Sequence, residues 1–214
     1  MTENRLADYS TAQEAFWAGD FGTAYIERNQ GADLLASNLR FFTKALDSAR
    51  DIRSSIEFGA NIGMNLMALK LLKPGLELHA VEINKRAAEA LAEVIPADNI
   101  KTMSILDFVP DRTWDLTLIK GVLIHINPDA LPTVYDRLVA STSHYLLVAE
   151  YYNPEPVSIS YRGHAERLFK RDFAGDIMER HPQMKLLDYG FAYRRDPNGP
   201  QDDITWFLME KTVK

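Results

Sequence analysis

Cysteine is absent from the sequence. Disulfides, thiolate-held zinc and cysteine nucleophiles are therefore excluded, and a cytoplasmic location is the expectation. Positive charge is also scarce: 24 Lys and Arg face 30 Asp and Glu, a formal charge of -6. That balance gives no support to broad nucleic-acid binding, which shows as a basic surplus. Long apolar runs are missing too. None approaches the roughly 18 to 20 residues that span a bilayer, and the leading "MTENRLADYS" has no apolar core of the signal-peptide kind. The five histidines, His79, His125, His144, His164 and His181, are scattered without a metal-ligand spacing. The expectation is a soluble protein with no membrane, no nucleic-acid partner and no metal. Its 214 residues suit one domain with a real core.

What is present alternates. Apolar residues recur at helical spacing from Ala32 to Leu46. A short strand follows, Ser54 to Phe58, then a helix from near Gly63 that stops at Pro74-Gly75. "LELHAVEI" reads as the second strand, and Asn84 as the N-cap of a helix with Ala87, Ala88, Leu91, Val94 and Ile95 on one face. "NIKTMSI" and "WDLTLIKGV" read as strands, Asn127-Pro128-Asp129 opens another helix, and "HYLLVAEYY" is a strand buried on both faces. A polar, basic stretch and a helix near Arg171 to Glu179 come next. "KLLDYGFAY" and "DITWFLMEK" then form a hairpin. The pattern predicts an α/β fold with a mostly parallel, seven-stranded sheet, helices on both faces and a C-terminal antiparallel hairpin. That is the outline of the Rossmann-like class I methyltransferase fold. Residues 1–50 are expected as an N-terminal helical lid and 51–214 as the core.

The stretch "IEFGANIG", Ile56 to Gly63, resembles a nucleotide loop. Its glycine spacing is not the dinucleotide fingerprint, and no Lys-Ser/Thr pair follows to make a P-loop. Gly59 and Gly63 let the backbone turn and approach a ligand. Glu57 ends the strand before them, where a carboxylate suits a cationic ligand part. Glu82 ends the second strand about 20 residues on, the usual place for an acid that holds ribose hydroxyls. Asp107 and Leu106 follow the third strand, where adenine is bordered. Ile83 and Lys120, at the ends of the second and fourth strands, complete the expected cofactor contacts. An adenosine with a cationic tail and no pyrophosphate is S-adenosylmethionine. Asn61 stands where many methyltransferases have a third glycine.

The chain resembles the pseudaminic acid biosynthesis-associated methylases over nearly its whole length. The likeness rests on "FWAGDFGTAYIERN", "EFGANIG", "AVEIN", "KGVLIHINPD", "AEYYNPEPVSISYRGHAERLFKRDFAGD", "DYGFAYRRD" and "PQDDITWFL". It implies a cytoplasmic enzyme that methylates a small carbohydrate of the nonulosonic acid type or a related metabolite. In that group the asparagine of "GANIG" is normal.

Methyl transfer from a sulfonium needs alignment, and a hydroxyl acceptor benefits from a base. His125, after the fourth strand, is the first candidate base. Tyr151 and His164 are the others. Glu150, Tyr152, Asn153, Tyr161, Arg162 and Arg167 are the expected acceptor contacts, the arginines gripping a carboxylate or phosphate. In the lid, Trp17 and Tyr25 would exclude water, and Arg28 or Asn29 would hold the methionine carboxylate. The competing reading of Phe16, Trp17 and Phe21 is an aromatic anchor for the N-terminal helix. Asp202 and Asp203 read as a polar hairpin turn. "NPDA" and "NPEP" are not the Asn/Asp-Pro-Pro-Tyr/Phe motif of enzymes acting on exocyclic amines. Two alternatives remain open: methylation of an amino or phosphonate-like natural product, and cofactor binding without turnover.

Overall fold

Thr11 opens the first helix with a capping box. Its hydroxyl accepts from Glu14 N at 3.2 Å, and Glu14 Oε2 accepts from Thr11 N at 2.7 Å. The computed structural model describes residues 9–161 and 164–212, with backbone alone at 161 and 164–167. The aromatic-glycine segment near the start forms two short helices, α1 (Ala12–Ala18) and α2 (Asp20–Ile26), which meet at Gly19. α3 (Ala32–Ala45) follows and buries Phe41, Phe42 and Ala45.

The core then alternates. β1 (Ser54–Phe58), α4 (Met64–Leu72), β2 (Glu77–Glu82), α5 (Lys85–Leu91), β3 (Ile100–Thr102) and β4 (Trp114–Lys120) come in order. A 3-10 turn at Leu123–His125 and another at Pro128–Ala130 lead to α6 (Leu131–Ser141) and β5 (Thr142–Glu150). Asn127 caps the second turn, its Oδ1 accepting from Asp129 N at 3.0 Å. α5 ends at Leu91, so Val94 and Ile95 lie beyond it, still buried, in the following turn.

The segment expected as a polar, basic stretch differs. It forms β6 (Val157–Tyr161) and β7 (His164–Lys170), an antiparallel pair in a sheet of its own. The apolar alternation of Val157, Ile159 and Tyr161 with serines is short, and charged residues follow it, so the period-two signal is weak. α7 (Phe173–Arg180) then leads to β8 (Met184–Ala192) and β9 (Ile204–Lys211).

The main sheet is seven-stranded in the order β3-β2-β1-β4-β5-β9-β8. The first five strands pair in parallel, and β9 inserts antiparallel between β5 and β8. One face packs on α3 and α4 through Phe41, Leu66, Leu69, Leu118 and Leu147. The other packs on α6 and α7 through Ile119, Val134, Leu138 and Ile177. This is the Rossmann-like class I methyltransferase fold that the alternation of elements predicts. Strand order reverses between β1 and β4, and there the carboxyl ends of the strands leave a crevice. Among the described residues no helix is long and apolar enough to cross a membrane.

Candidate functional site

The crevice is a cavity of about 690 Å³, within the roughly 300–1,000 Å³ of small-molecule sites. Its floor is the loop after β1. Gly59 has φ 75°, and a Cβ there would meet Val122 Cγ2 at 2.5 Å, so both conformation and space require glycine. Asn61 has φ 49°, a left-handed conformation that asparagine tolerates better than most residues. That is how the loop turns without a third glycine. Asn61 N donates to Glu82 Oε2 at 2.7 Å, and Asn84 N donates to Glu82 Oε1 at 2.7 Å. The Glu82 carboxylate is buried, lines the cavity and is fixed at the end of β2. Burial pushes its pKa up against those backbone bonds.

Gly59, Asn61, Ile83, Leu106 and Lys120 also line the cavity. Three expected cofactor contacts do not. Gly63 sits behind the loop, where a Cβ would meet Leu91 Cδ1 at 2.5 Å; its part is to start α4. Glu57 is fully buried beneath the floor, and its Oε1 accepts from Asn65 Nδ2 at 2.6 Å. Asn65 lines the cavity and so stands between Glu57 and any ligand. Glu57 Oε2 has no partner among the described residues, and burial raises this carboxyl to about 8. Asp107 is exposed and outside the lining; Ser104, Ile105 and Leu106 take the wall instead. An acid does reach that wall, but from α1: Ser104 Oγ donates to Glu14 Oε1. The two residues are 90 positions apart, and no local pattern announces the contact.

α1 and α2 cover the cavity. Trp17 packs on His125 with ring centres 4.6 Å apart and on Tyr25 at 5.2 Å. Gly22 is buried, and a Cβ there would lie 1.8 Å from Trp17 O, so the close packing of α2 on α1 requires glycine. Asn84 Nδ2 donates to Trp17 O at 3.1 Å and to Thr23 Oγ1 at 3.2 Å. Arg28 lies over the rings of Phe21 and Tyr25, with centres at 5.6 and 5.7 Å. Trp17, Tyr25, Arg28 and Asn29 all line the cavity. The same aromatics also anchor α1 to α2, since Phe16 stacks on Phe21 at 4.1 Å.

His125, in its 3-10 turn, and Tyr151, just past β5, reach the cavity. Glu150 does not. It lies on the other face of the sheet, 2 % exposed, and its Oε1 accepts from Val122 N and Leu123 N at 2.9 Å each. It holds the turn that carries His125, and burial lifts its pKa to about 7. Tyr152 is exposed beside Phe207, with ring centres 5.9 Å apart, and Asn153 Nδ2 donates to Glu155 O at 2.6 Å; neither lines the cavity. Arg162 lies outside the described residues, as do the side chains of Tyr161, His164 and Arg167.

The last wall is the β8–β9 connection, read from the sequence as a polar turn. Arg194, Pro200, Gln201 and Asp202 line the cavity. Gln201 Nε2 donates to Asn38 Oδ1 at 3.0 Å, both residues being buried. Asp203 has φ 54° and accepts from Arg194 N at 2.9 Å. Asn38, Asn65, Gln13 and Glu14 are further lining residues that the sequence pattern did not single out.

No family model matches the chain, and no curated protein matches it in sequence. Solved structures match it in fold. The 1,6-didemethyltoxoflavin-N1-methyltransferase of Burkholderia thailandensis, solved with 1,6-didemethyltoxoflavin and S-adenosylhomocysteine, superposes with a TM-score of 0.68 at 15% identity, over 93% of this chain and 88% of that one. The mitomycin 7-O-methyltransferase MmcR gives 0.65 at 15% identity over 96% of this chain, which spans only 62% of that protein's length. A SAM dependent methyltransferase from Archaeoglobus fulgidus gives 0.63 at 14% identity, over 90% of this chain and all of that one.

Proposed function

We propose that the protein is an S-adenosylmethionine-dependent methyltransferase for a small-molecule acceptor. The observation that carries the reading is Glu82: a buried carboxylate at the end of β2, fixed by two backbone N–H groups and facing the cavity beside the glycine loop. A carboxylate held this way still has lone pairs for two ribose hydroxyls. Leu106 and Ile105 give an apolar slot for an adenine ring, and Gly59 brings bare backbone against the ligand. Arg28, with Asn29, is suited to the methionine carboxylate. The ligands named in the neighbouring structures fit the same assignment.

The bound cofactor supplies a methyl group on a sulfonium, open to in-line attack. The chain's part is to align the acceptor, exclude water with Trp17 and Tyr25, and take up the acceptor's proton. His125 and Tyr151 are the described candidates for that last step. Imidazole is the side-chain type suited to proton transfer near neutrality, and the His125 ring packs against the Trp17 cover.

For the acceptor, the sequence resemblance supports an acidic sugar of the nonulosonic or pseudaminic type, free or nucleotide-linked. The neighbours methylate toxoflavin precursors, mitomycin and glycopeptides, which supports the second reading of a different natural-product acceptor. The fold and composition fit a small molecule in either case.

Calorimetry with S-adenosylmethionine on the wild type and on Glu82→Ala tests the assignment. Micromolar binding that the substitution weakens at least tenfold, about 1.4 kcal/mol, is expected. A folded wild type that binds nothing removes the cofactor. With binding established, mass spectrometry of nonulosonic acid intermediates incubated with enzyme and cofactor decides the acceptor class.

A further inference from the structure

Among the described residues, two cations line the cavity with no carboxylate at ion-pair distance. Arg28 lies on the faces of Phe21 and Tyr25 and makes no ion pair among the described residues. Lys120 Nζ lies 5.5 Å from the centre of the Phe41 ring and makes neither a hydrogen bond nor an ion pair among the described residues. The third lining cation, Arg194, is already engaged by Asp203 Oδ2 at 3.4 Å.

These two cations come from different walls. Arg28 follows α2 in the cover. Lys120 ends β4 in register with Ala149, on the face packed by α3, and it meets Phe41 of that helix. One turn before Phe41, Asn38 holds Gln201, and Gln201 brings Asp202 to the cavity.

The cofactor proposed above has one carboxylate, which Arg28 suffices to hold. Resting on that reading, we propose that Lys120 is the receptor for an oxyanion of the acceptor, a carboxylate or phosphonate. The acceptor then lies between β4, α3 and the β8–β9 connection. Asp202 faces the same space and is placed to accept from a hydroxyl or amine of the same molecule.

The electrostatics agree with this geometry. Glu57, Asp202 and Glu150 all attract the Lys120 charge, but none reaches ion-pair distance, and burial outweighs them and holds its pKa below the usual lysine range. Burial also keeps Glu57 and Glu150 protonated more readily than ordinary carboxylates. An arriving oxyanion supplies the direct partner the ammonium lacks. Specificity follows. A neutral analogue of the acceptor covers the half-buried Lys120 without supplying that partner, and a site built for a polar group rejects the molecule that lacks it.

The rival is that Lys120, not Arg28, holds the methionine carboxylate. Lys120→Met keeps the length of the side chain over Phe41, Lys120→Arg keeps the charge, and Arg28→Met removes the other cation. S-adenosylhomocysteine is titrated into each by calorimetry. N-acetylneuraminate and phosphonoacetate are then titrated into the S-adenosylhomocysteine-saturated proteins.

Lys120→Met is expected to keep S-adenosylhomocysteine affinity within about twofold and to lower oxyanion affinity at least tenfold, about 1.4 kcal/mol. Lys120→Arg is expected to restore part of that loss, and Arg28→Met to show the reverse pattern. A tenfold loss of S-adenosylhomocysteine in Lys120→Met overturns the proposal. So does oxyanion binding that is indifferent to Lys120, or a saturated wild type that binds neither oxyanion up to about 50 mM. A folded wild type that fails to bind S-adenosylhomocysteine fails earlier, at the cofactor, and overturns both readings.

Discussion

Asn84 joins three parts of the site through one buried side chain and its own backbone. Its Oδ1 caps α5 by accepting from Ala87 N at 3.1 Å. Its Nδ2 donates to Trp17 O and Thr23 Oγ1 at 3.1 and 3.2 Å, tying α1 and α2 down, and its N–H holds Glu82 at 2.7 Å. Asn84→Asp separates these jobs. The carboxylate keeps the cap and the backbone bond, but sets an oxygen against Trp17 O where a donor stood. The Thr23 hydroxyl can turn to donate to the new carboxylate, so the loss is the Trp17 bond, and an acceptor left facing an acceptor costs roughly 1–3 kcal/mol in attachment of the cover. That corresponds to roughly 5- to 150-fold faster hydrogen exchange in residues 12–26. Asn84→Ala loses the cap as well, at about 1 kcal/mol more, and that part falls on the core. S-adenosylhomocysteine affinity drops in both, because Trp17, Tyr25 and Arg28 ride on the cover. Unchanged exchange in residues 12–26 of Asn84→Asp would refute the clasp.

Glu150→Ala leaves Val122 N and Leu123 N unpaired in the interior, at roughly 1–3 kcal/mol each, and should lower the urea midpoint and shift the His125 ring resonances; Glu150→Gln, which keeps an accepting oxygen, should do much less of both. Glu57 gives a pH prediction. Its carboxyl is raised from 4.5 to about 8 by burial, so the folded chain keeps a proton that the unfolded chain has lost. Its contribution therefore falls as pH climbs from about 4.5 and levels off above about 8. Urea midpoints at several pH values should decline less steeply in Glu57→Gln than in the wild type, and parallel curves would count against the buried acid.

The fold was legible because its signals are local. β5 carries the apolar run Tyr145 to Ala149, the signature of a strand covered on both faces, and the short β1 and β4 are bounded by turn and helix signals. Pro74-Gly75, Asn84 and Asn127 punctuate the chain at the helix ends where the physics of caps and turns places them. What escaped was marginal in pattern. β6 and β7 pair only with each other, outside the main sheet, so neither carries the apolar run of a buried strand.

Within the site the same divide separates the two ends of the cavity. Gly59, Asn61 and Glu82 were readable because each is tied to a strand end, and the crossover fixes the spacing between those ends in sequence. The opposite wall has no such rule. Asn38 and Gln201 are 163 residues apart, and Ser104 and Glu14 are 90 apart, so each pair exists only once the helices and the hairpin have packed. Glu150 shows the converse. It sits at a strand end next to the expected methyl position, yet strand alternation turns it to the far face, where two backbone donors claim it. A strand end thus predicts nearness to the site, and only the parity of the residue along the strand decides whether its side chain faces the ligand. Lys120 and Glu150 end adjacent strands, and Lys120 pairs in register with Ala149, so the two side chains point to opposite faces. The lysine is the one left to line the cavity.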